Sequence, residues 1–207
     1  MHAATYGPRI APGSFVASFG VNLSNGVTDV GTPPLQLSLD GVEVHVRGVK
    51  VPVHFISDAQ TNFYVPLETA LGDATITAKT PAGESGPQTV SLVQYAPGIF
   101  PLAGNYGAIL NAGTADTTQS HPALRDGFVE IYCTGLGPVD NELRAGTPLV
   151  TIGGVPAEVT YSGMPFIPGL YQVNVRIPRT VASGAQALTL AIGGVTSNTV
   201  LIGIGAN

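Results

Sequence analysis

The sequence predicts an all-β protein made of two tandem β-sandwich domains that arose by internal duplication. Three observations predict this fold: the composition is rich in turn-forming residues, short apolar–polar alternations recur along the chain, and a set of short motifs occurs twice in the same order. The chain has 207 residues, enough for two domains of about 100 residues each.

The composition favours strands over helices. The chain contains 27 glycines, 17 prolines, 10% charged and 44% hydrophobic residues. Helices are rich in Leu, Glu, Lys and Arg, whereas short strands joined by tight turns use Val, Thr, Gly and Pro. The hydrophobic content also argues against disorder, the other common state of Gly/Pro-rich sequence.

In the first copy about seven short segments are expected to be strands. Two dipeptides, Asp40-Gly41 and Arg47-Gly48, are typical hairpin turns, and Pro66 ends a strand because it cannot donate to a ladder. The predicted segments are Phe15–Phe19, Leu35–Leu39, Val42–Val46, Val49–Val53, Asn62–Val65, Thr75–Ala78 and Thr89–Val93.

The strongest sign of duplication is a Gln-x-Asn motif that is followed by an aliphatic residue and a proline. It occurs as Gln60–Pro66 and again as Gln172–Pro178, an offset of 112 residues. Phe19–Leu23 corresponds, with slippage, to Cys133–Gly137. The second copy therefore repeats the strand pattern between residues 128 and 204, and each copy predicts an immunoglobulin-like sandwich.

The duplication divides the chain into three parts. Residues 1–98 form the first immunoglobulin-like sandwich, 99–124 a packed connector, and 125–207 the second sandwich. Prolines flank Ile99-Phe100 and stiffen this segment, so we expect these two side chains to fill a gap between the domains. His2 is expected in a terminal tail.

The motifs together resemble a known family over nearly the whole chain. They run Ala11-Pro12-Gly13-Ser14, Phe19-Gly20-x-Asn22-Leu23, Gln60-x-Asn62, Ala96-Pro97-Gly98-Ile99-Phe100, Tyr132-x-Thr134-Gly135-Leu136-Gly137-Pro138 and Gly169-Leu170-Tyr171-Gln172-Val173-Asn174. This order resembles the C-terminal domain family of paralogous secreted proteins in Solibacter-type acidobacteria. Each half also resembles the IPT/TIG type of immunoglobulin-like domain. The resemblance implies an extracellular accessory module and assigns no catalytic residue.

Charge and hydropathy exclude two classes of partner. The formal net charge is −5, and the eight Lys and Arg residues are scattered, so nucleic-acid binding, which requires clustered cations, is not expected. No apolar run reaches the roughly 18 residues of a membrane span. The low charge favours a secreted or cell-surface location.

Few residues suggest chemistry, and we expect neither a cofactor nor an enzyme. His45 and His54 can approach across a hairpin, but two ligands fall short of a tetrahedral metal site. Asp140 can join a calcium loop or form an Asx turn. The lone cysteine, Cys133, is expected to be a buried apolar residue. His54, Ser57 and Asp58 are close in sequence, which does not establish triad geometry.

Two features allow binding. Gln60 and Asn62 share one face of a strand, as do Gln172 and Asn174. These amides can bind sugar hydroxyls or hold the backbone of a neighbouring loop, and their occurrence in both copies favours the structural role. The second feature is an apolar loop, either an interaction tip or an interdomain plug, formed by Tyr161, Met164, Pro165, Phe166 and Ile167.

The sequence thus predicts a non-catalytic structural or adhesive module of a larger extracellular protein. The alternatives are a carbohydrate-binding module and a surface subunit that self-assembles through its sheet edges. The partner would be a protein or glycan at the cell surface.

Overall fold

The computed structural model describes residues 1–206, and nearly all of its regular elements are strands. Ten strands belong to the first half: β1 Arg9–Ile10, β2 Phe15–Phe19, β3 Asp29–Val30, β4 Glu43–Val46, β5 Val49–Val51, β6 Val53–Ile56, β7 Gln60–Tyr64, β8 Gly72–Thr80, β9 Gly83–Glu84 and β10 Gln88–Leu92.

The second half begins with the segment that joins the two copies. A 3-10 helix spans Ala103–Asn105, and nine strands complete the fold: β11 Gly98–Ile99, β12 Ile109–Asn111, β13 Phe128–Thr134, β14 Leu149–Ile152, β15 Val155–Gly163, β16 Tyr171–Arg176, β17 Gly184–Ile192, β18 Val195–Thr196 and β19 Val200–Ile204.

Each half is a sandwich of two sheets, so the predicted all-β, immunoglobulin-like fold is confirmed. In the first half the sheet that carries the Gln-x-Asn motif has the order β2-β7-β6-β3; we call it the amide sheet. The sheet that faces it has the order β1-β10-β8-β4-β5. In the second half β13, β16 and the C-terminal part of β15 form the amide sheet, and β14, β17 and β19 belong to the facing sheet.

The internal repeat is visible in the strand bounds. The bounds of β8, β9 and β10 become those of β17, β18 and β19 when 112 is added to each residue number. The bounds of β4 become those of β14 when 106 is added. Phe19 pairs with Gln60, and Tyr132 pairs with Gln172. The structural counterpart of Phe19 is therefore Tyr132, one residue before the position that the motif comparison assigned.

The two sheets of each half are joined by a strand that changes sheet. In the second half β15 is continuous, pairing first with β14 and then with β16. In the first half Pro52 divides the same path into β5 and β6, since proline supplies no N–H for the ladder.

The predicted strand over Leu35–Leu39 is wrong. This segment contributes two isolated bridges, one from Gln36 to Val53 in the amide sheet and one from Leu39 to Val42 next to the facing sheet. It crosses from one sheet to the other, so it cannot run as a strand in either. The turns that follow agree with the prediction: Asp40-Gly41 and Arg47-Gly48 both have positive φ at both residues, as a two-residue hairpin requires.

Each half has its own core. The first core contains Val16, Val44, Val53, Phe63, Ile76 and Leu92. The second contains Val129, Ile131, Cys133, Val173, Leu190 and Ile202. Ile99 is fully buried in this second core, because β11 pairs with β13. The expectation that Ile99 fills a gap between the domains is therefore wrong.

The connector pairs with both sheets of the second half. Within residues 99–124, β12 pairs with β13, and Ala123 forms a parallel bridge to Ile204. This bridge repeats the parallel pairing of Ile10 with Leu92 in the first half. The boundaries at 98/99 and 124/125 stay a prediction.

Candidate functional site

The Gln-x-Asn motif forms the same side-chain hydrogen bond in both halves. Gln60 Nε2 donates to Asn62 Oδ1 at 2.7 Å, and Gln172 Nε2 donates to Asn174 Oδ1 at 2.7 Å. These amides lie on the outer face of each amide sheet, because the residues that alternate with them point inwards. These alternating residues are buried: Thr61 and Phe63 in the first half, Val173 and Val175 in the second. The bond joins the two amides to each other and not to a neighbouring loop.

Aromatic residues flank both amide pairs. In the first half Phe19 lies opposite Gln60, and Phe55 lies opposite Asn62. In the second half Tyr132 lies opposite Gln172, and Tyr161 lies opposite Asn174. Residues directly opposite each other in an antiparallel pair point to the same face. Each outer face therefore carries an amide pair between two rings.

A β-bulge in the same place shapes both faces. The register shifts between Val53 and Phe55 in the first half and between Val159 and Tyr161 in the second. The extra residue of a bulge bends its strand and redirects the next side chain. The bulge thus turns Phe55 and Tyr161 outwards, towards the asparagine of each pair.

The first outer face is open at one end. Tyr6 and Phe19 are 53% and 49% exposed, and their ring centroids lie 5.8 Å apart with the ring planes tilted by 50°. Gln60 and Asn62 beside them are half-buried. Sequence reasoning missed Tyr6, because its segment had no strand pattern and its ring contacts Phe19 only in the folded chain.

The second outer face is more closed and carries charge. Gln172 is only 7% exposed, and its Oε1 atom has no hydrogen-bond partner among the described residues. The phenol of Tyr161 lies against Gly163, directly beside Gln172 in the sheet. Tyr132 donates its hydroxyl to Glu130 at 3.2 Å. Burial and the Glu130 carboxylate both raise the pKa of Tyr132.

The opposite end of the first outer face is covered by the second half. Phe15 and Tyr64 lie there, buried against Gly169. Thr134 Oγ1 accepts a hydrogen bond from Phe15 N at 3.0 Å and donates one to Gly169 O at 2.7 Å. This fully buried hydroxyl satisfies one backbone group from each half. We call these contacts the joint.

His2 belongs to the joint, so its expected position in a tail is wrong. Residue 2 bridges to Val16 beside β2. Its Nε2 donates to Ala96 O at 2.8 Å, and its Nδ1 accepts from the backbone of Ala4 and Thr5. A carbonyl only accepts, so the ring is neutral with its hydrogen on Nε2. Burial lowers the pKa of His2 to about 4.

Gly135 shows how closely the halves approach at the joint. Its φ is +79°, and an added Cβ would collide with the carbonyl of Ala96. Ala96 N in turn donates to Gly135 O at 3.0 Å. Only glycine fits this contact, which fixes the distance between the end of the first half and the second amide sheet.

The two histidines proposed as weak metal candidates do not meet across the hairpin. His45 lies opposite Lys50 in the sheet that faces the amide sheet, and its Nε2 is 3.9 Å from Glu43. His54 lies in the amide sheet, where its ring contacts Phe15 with centroids 5.1 Å apart. Residues 1–206 contain no group of three or more His, Cys, Asp or Glu arranged to hold a metal.

Asp140 forms an Asx turn. Its Oδ1 accepts hydrogen bonds from the backbone of Glu142 and Arg144, both at 2.9 Å. These bonds stabilise the loop from within.

The predicted apolar loop separates into two parts. Met164 is buried in the second core, and its sulfur accepts from Gly169 N. It is therefore not part of a binding tip, because its side chain faces inwards. Phe166 is 64% exposed, and Ile167 is half-buried. Tyr161 lies in β15 on the outer amide face and is not part of the loop itself.

One open surface depression contains charged groups that are already paired. It has a volume of about 320 Å³ and is lined by Asp126, Pro156, Glu158, Arg176 and Arg179 among others. Asp126 forms ion pairs with both arginines, and Arg176 also approaches Glu158. Two carboxylates that act on a glycosidic bond face each other across a free space, which this paired arrangement does not provide.

The thiol of Cys133 is fully buried, which raises its pKa.

Most sheet edges are covered. Residues 1–3 lie along β2, β11 and β12 pair with β13, and β1 pairs with β10. The strand orders of the first half end on β3 and β5, which have two and three residues and carry Asp29 and Lys50. Short, charged edges discourage strand addition.

Comparisons with known proteins show similarity of fold at low identity. No protein family and no curated protein matches the chain. The Bacteroides ovatus mixed-linkage glucan utilization locus protein SGBP-B, solved with a mixed-linkage heptasaccharide, is 13% identical with a TM-score of 0.39; the alignment covers 99% of this chain and 46% of that one. A tandem of titin Ig domains is 11% identical with a TM-score of 0.28, covering 96% and 91%.

A third solved structure is a surface-layer protein, SbsC. Its domains 4–9 are 17% identical to this chain with a TM-score of 0.30, and the alignment covers 99% of this chain and 30% of that one. Scores and identities this low transfer no function. Within residues 1–206 no helix has the length and apolarity to cross a membrane.

Proposed function

We propose that the chain is a non-catalytic structural or adhesive module of a larger secreted or cell-surface protein, in which two sandwiches are held at a fixed angle. The observation that supports this proposal is the joint. Thr134 satisfies backbone groups of both halves in a fully buried setting, and breaking such bonds leaves buried polar groups without partners. A flexible tether between the halves would need none of these contacts.

The remaining chemistry is consistent with this role. The acids and bases in the open depression are paired with one another, and the repeated residues serve turns, strand ends and the amide bond. The low charge of the chain favours the outside of the cell. Membership of the Solibacter-type family is part of the same proposal.

Small-angle X-ray scattering tests the fixed arrangement. We expect the profile of the whole chain to match a single arrangement of the two halves at all protein concentrations. A profile that requires an ensemble of interdomain angles would overturn the proposal. Growth of the particle with concentration would instead support the self-assembling alternative, for which the short, charged edges of β3 and β5 give little support.

A further inference from the structure

The exposed pair of Tyr6 and Phe19 is not explained by the fold. The two rings contact each other in solvent and not in a core. Tyr6 has a φ of 55°, a left-handed conformation that costs a non-glycine residue about 1–2 kcal/mol. A tight turn holds it there, since Tyr6 N donates to His2 O at 2.8 Å and His2 N donates to Gly7 O at 2.9 Å. The turn, and not packing in a core, therefore holds this exposed ring in place, which makes the ring a candidate for a binding role.

Hydrogen-bonding groups stand beside these rings. Gln60 is the cross-strand neighbour of Phe19, and its bond to Asn62 uses one N–H and one lone pair. Each primary amide has two donors and one acceptor oxygen with two lone pairs. Both side chains, half-buried, therefore keep donors and acceptors for a ligand that offers hydroxyl groups.

The side chains of the open end carry no charge. Ala17 and Phe55 complete this part of the face, and the one charged group seen there belongs to the backbone, where the N-terminal ammonium of Met1 donates to Ala17 O at 2.8 Å. In the second half the position of Ala17 is occupied by Glu130, which pairs with Asn174 as Ala17 pairs with Asn62. The electrostatic match is therefore an uncharged ligand. The face also continues into the joint at Phe15 and Tyr64, so one end of it already serves as a contact surface.

The size of the patch decides between a glycan and a protein partner. Two aromatic side chains that are each about half exposed offer on the order of 200 Å², whereas a stable protein contact buries about 800 Å² on each partner. One or two sugar rings match the smaller area. A pyranose presents an apolar C–H face to a ring and hydroxyls to neighbouring amides.

We propose that the open end of the first amide face, formed by Tyr6, Phe19, Gln60 and Asn62, binds a neutral oligosaccharide. This proposal rests on the adhesive function above and names the class of its ligand. The rings stack on the sugar, and the amide pair binds its hydroxyls. The second amide face, closed by Tyr161 and charged by Glu130, does not bind this ligand.

An array of neutral glycans first screens the whole chain for binding. Titration calorimetry then measures the dissociation constants of cellohexaose, xylohexaose and chitohexaose. Tyr6→Ala and Phe19→Ala are each expected to raise the dissociation constant at least tenfold, whereas Phe19→Tyr retains binding. Phe166→Ala is the matched control, because it removes an exposed ring at the tip of the second half and is expected to leave binding unchanged. Circular dichroism melting verifies that each variant is folded.

Three outcomes would overturn the proposal. The first is that no neutral oligosaccharide binds the wild-type chain. The second is that Phe166→Ala weakens binding as much as Phe19→Ala, which would place the site on the Tyr161–Ile167 loop. The third is that light scattering shows a wild-type dimer that Phe19→Ala dissociates, which would assign the patch to a second copy. Scattering evidence for a fixed joint is independent of the first two outcomes, which therefore leave the structural function standing, whereas the third would also support the self-assembling alternative.

Discussion

Replacing Thr134 with valine removes the hydroxyl of the joint and keeps its shape. Thr134 is fully buried, accepts from Phe15 N and donates to Gly169 O. Phe15 N faces away from β7. The bond to the chain after β7 is made by the preceding residue, since Ser14 O accepts from Val65 N, whereas Phe15 O accepts from Ala3 N on the other side of β2. The substitution therefore leaves one buried N–H and one buried carbonyl without these partners.

The expected loss follows from the cost of unpaired buried groups. Each such group costs about 1–3 kcal/mol, and valine recovers part of this because it needs no hydrogen bond. We expect the free energy of unfolding to fall by about 3 kcal/mol. With a urea slope of about 2 kcal/mol per molar, the midpoint shifts by roughly 1.5 M. Far-ultraviolet circular dichroism measures it, since the chain has no tryptophan.

Thr189→Val is the matched control for this measurement. Thr189 Oγ1 bonds Thr151 Oγ1 at 2.9 Å across two strands, and both side chains are partly exposed. Water can replace this bond, so the control is expected to lose no more than about 0.5 kcal/mol. If Thr134→Val costs no more than Thr189→Val, the joint does not hold the halves together as argued.

Three further predictions follow from burial. The pKa of His2 is about 4 when folded against about 6.5 when unfolded; the unfolded chain therefore binds the proton first, and stability present above pH 6.5 falls by roughly 3 kcal/mol as the pH drops to 4. The urea midpoint of His2→Gln should change less between pH 6.5 and pH 4 than that of the wild type, and an equal change would refute the assignment. Cys133, with its raised pKa, should resist iodoacetamide at pH 8 until urea is added; stoichiometric labelling of the native chain by mass spectrometry would contradict its burial. Asn174→Ala should cost more stability than Asn62→Ala, by about 1 kcal/mol, because Gln172 is more deeply buried than Gln60; equal urea midpoints would show that burial does not decide the cost.

The fold was predictable from the sequence because its signals are local. Two-residue turns such as Asp40-Gly41 need positive φ, and a proline such as Pro66 ends a strand whatever surrounds it. The Gln-x-Asn spacing placed both amides on one face, where the structure shows them bonded. These features depend on neighbours within a few residues, so duplication of the sequence predicted duplication of the sandwich.

The contacts between the halves were not predictable, because no local pattern encodes them. In β2, alternation alone would assign Phe15 and Phe19 to the core, as the larger side chains. The structure buries Val16 there and turns both rings outwards, where the second half covers Phe15. His2 likewise bonds Ala96, 94 residues away, and Ala96 in turn bonds Gly135 of the second half. The open patch was missed for the same reason, since Tyr6 meets Phe19 only through the terminal turn.

The burial of Phe15 and Tyr64 under the second half has a mechanical consequence. If the second half unfolded, both rings would return to water, at a cost of about 1.5–3 kcal/mol each. Together this makes independent unfolding roughly a hundred to ten thousand times less favourable than it would be for two unlinked domains. Under tension the two halves would therefore unfold together as one cooperative unit and not one after the other.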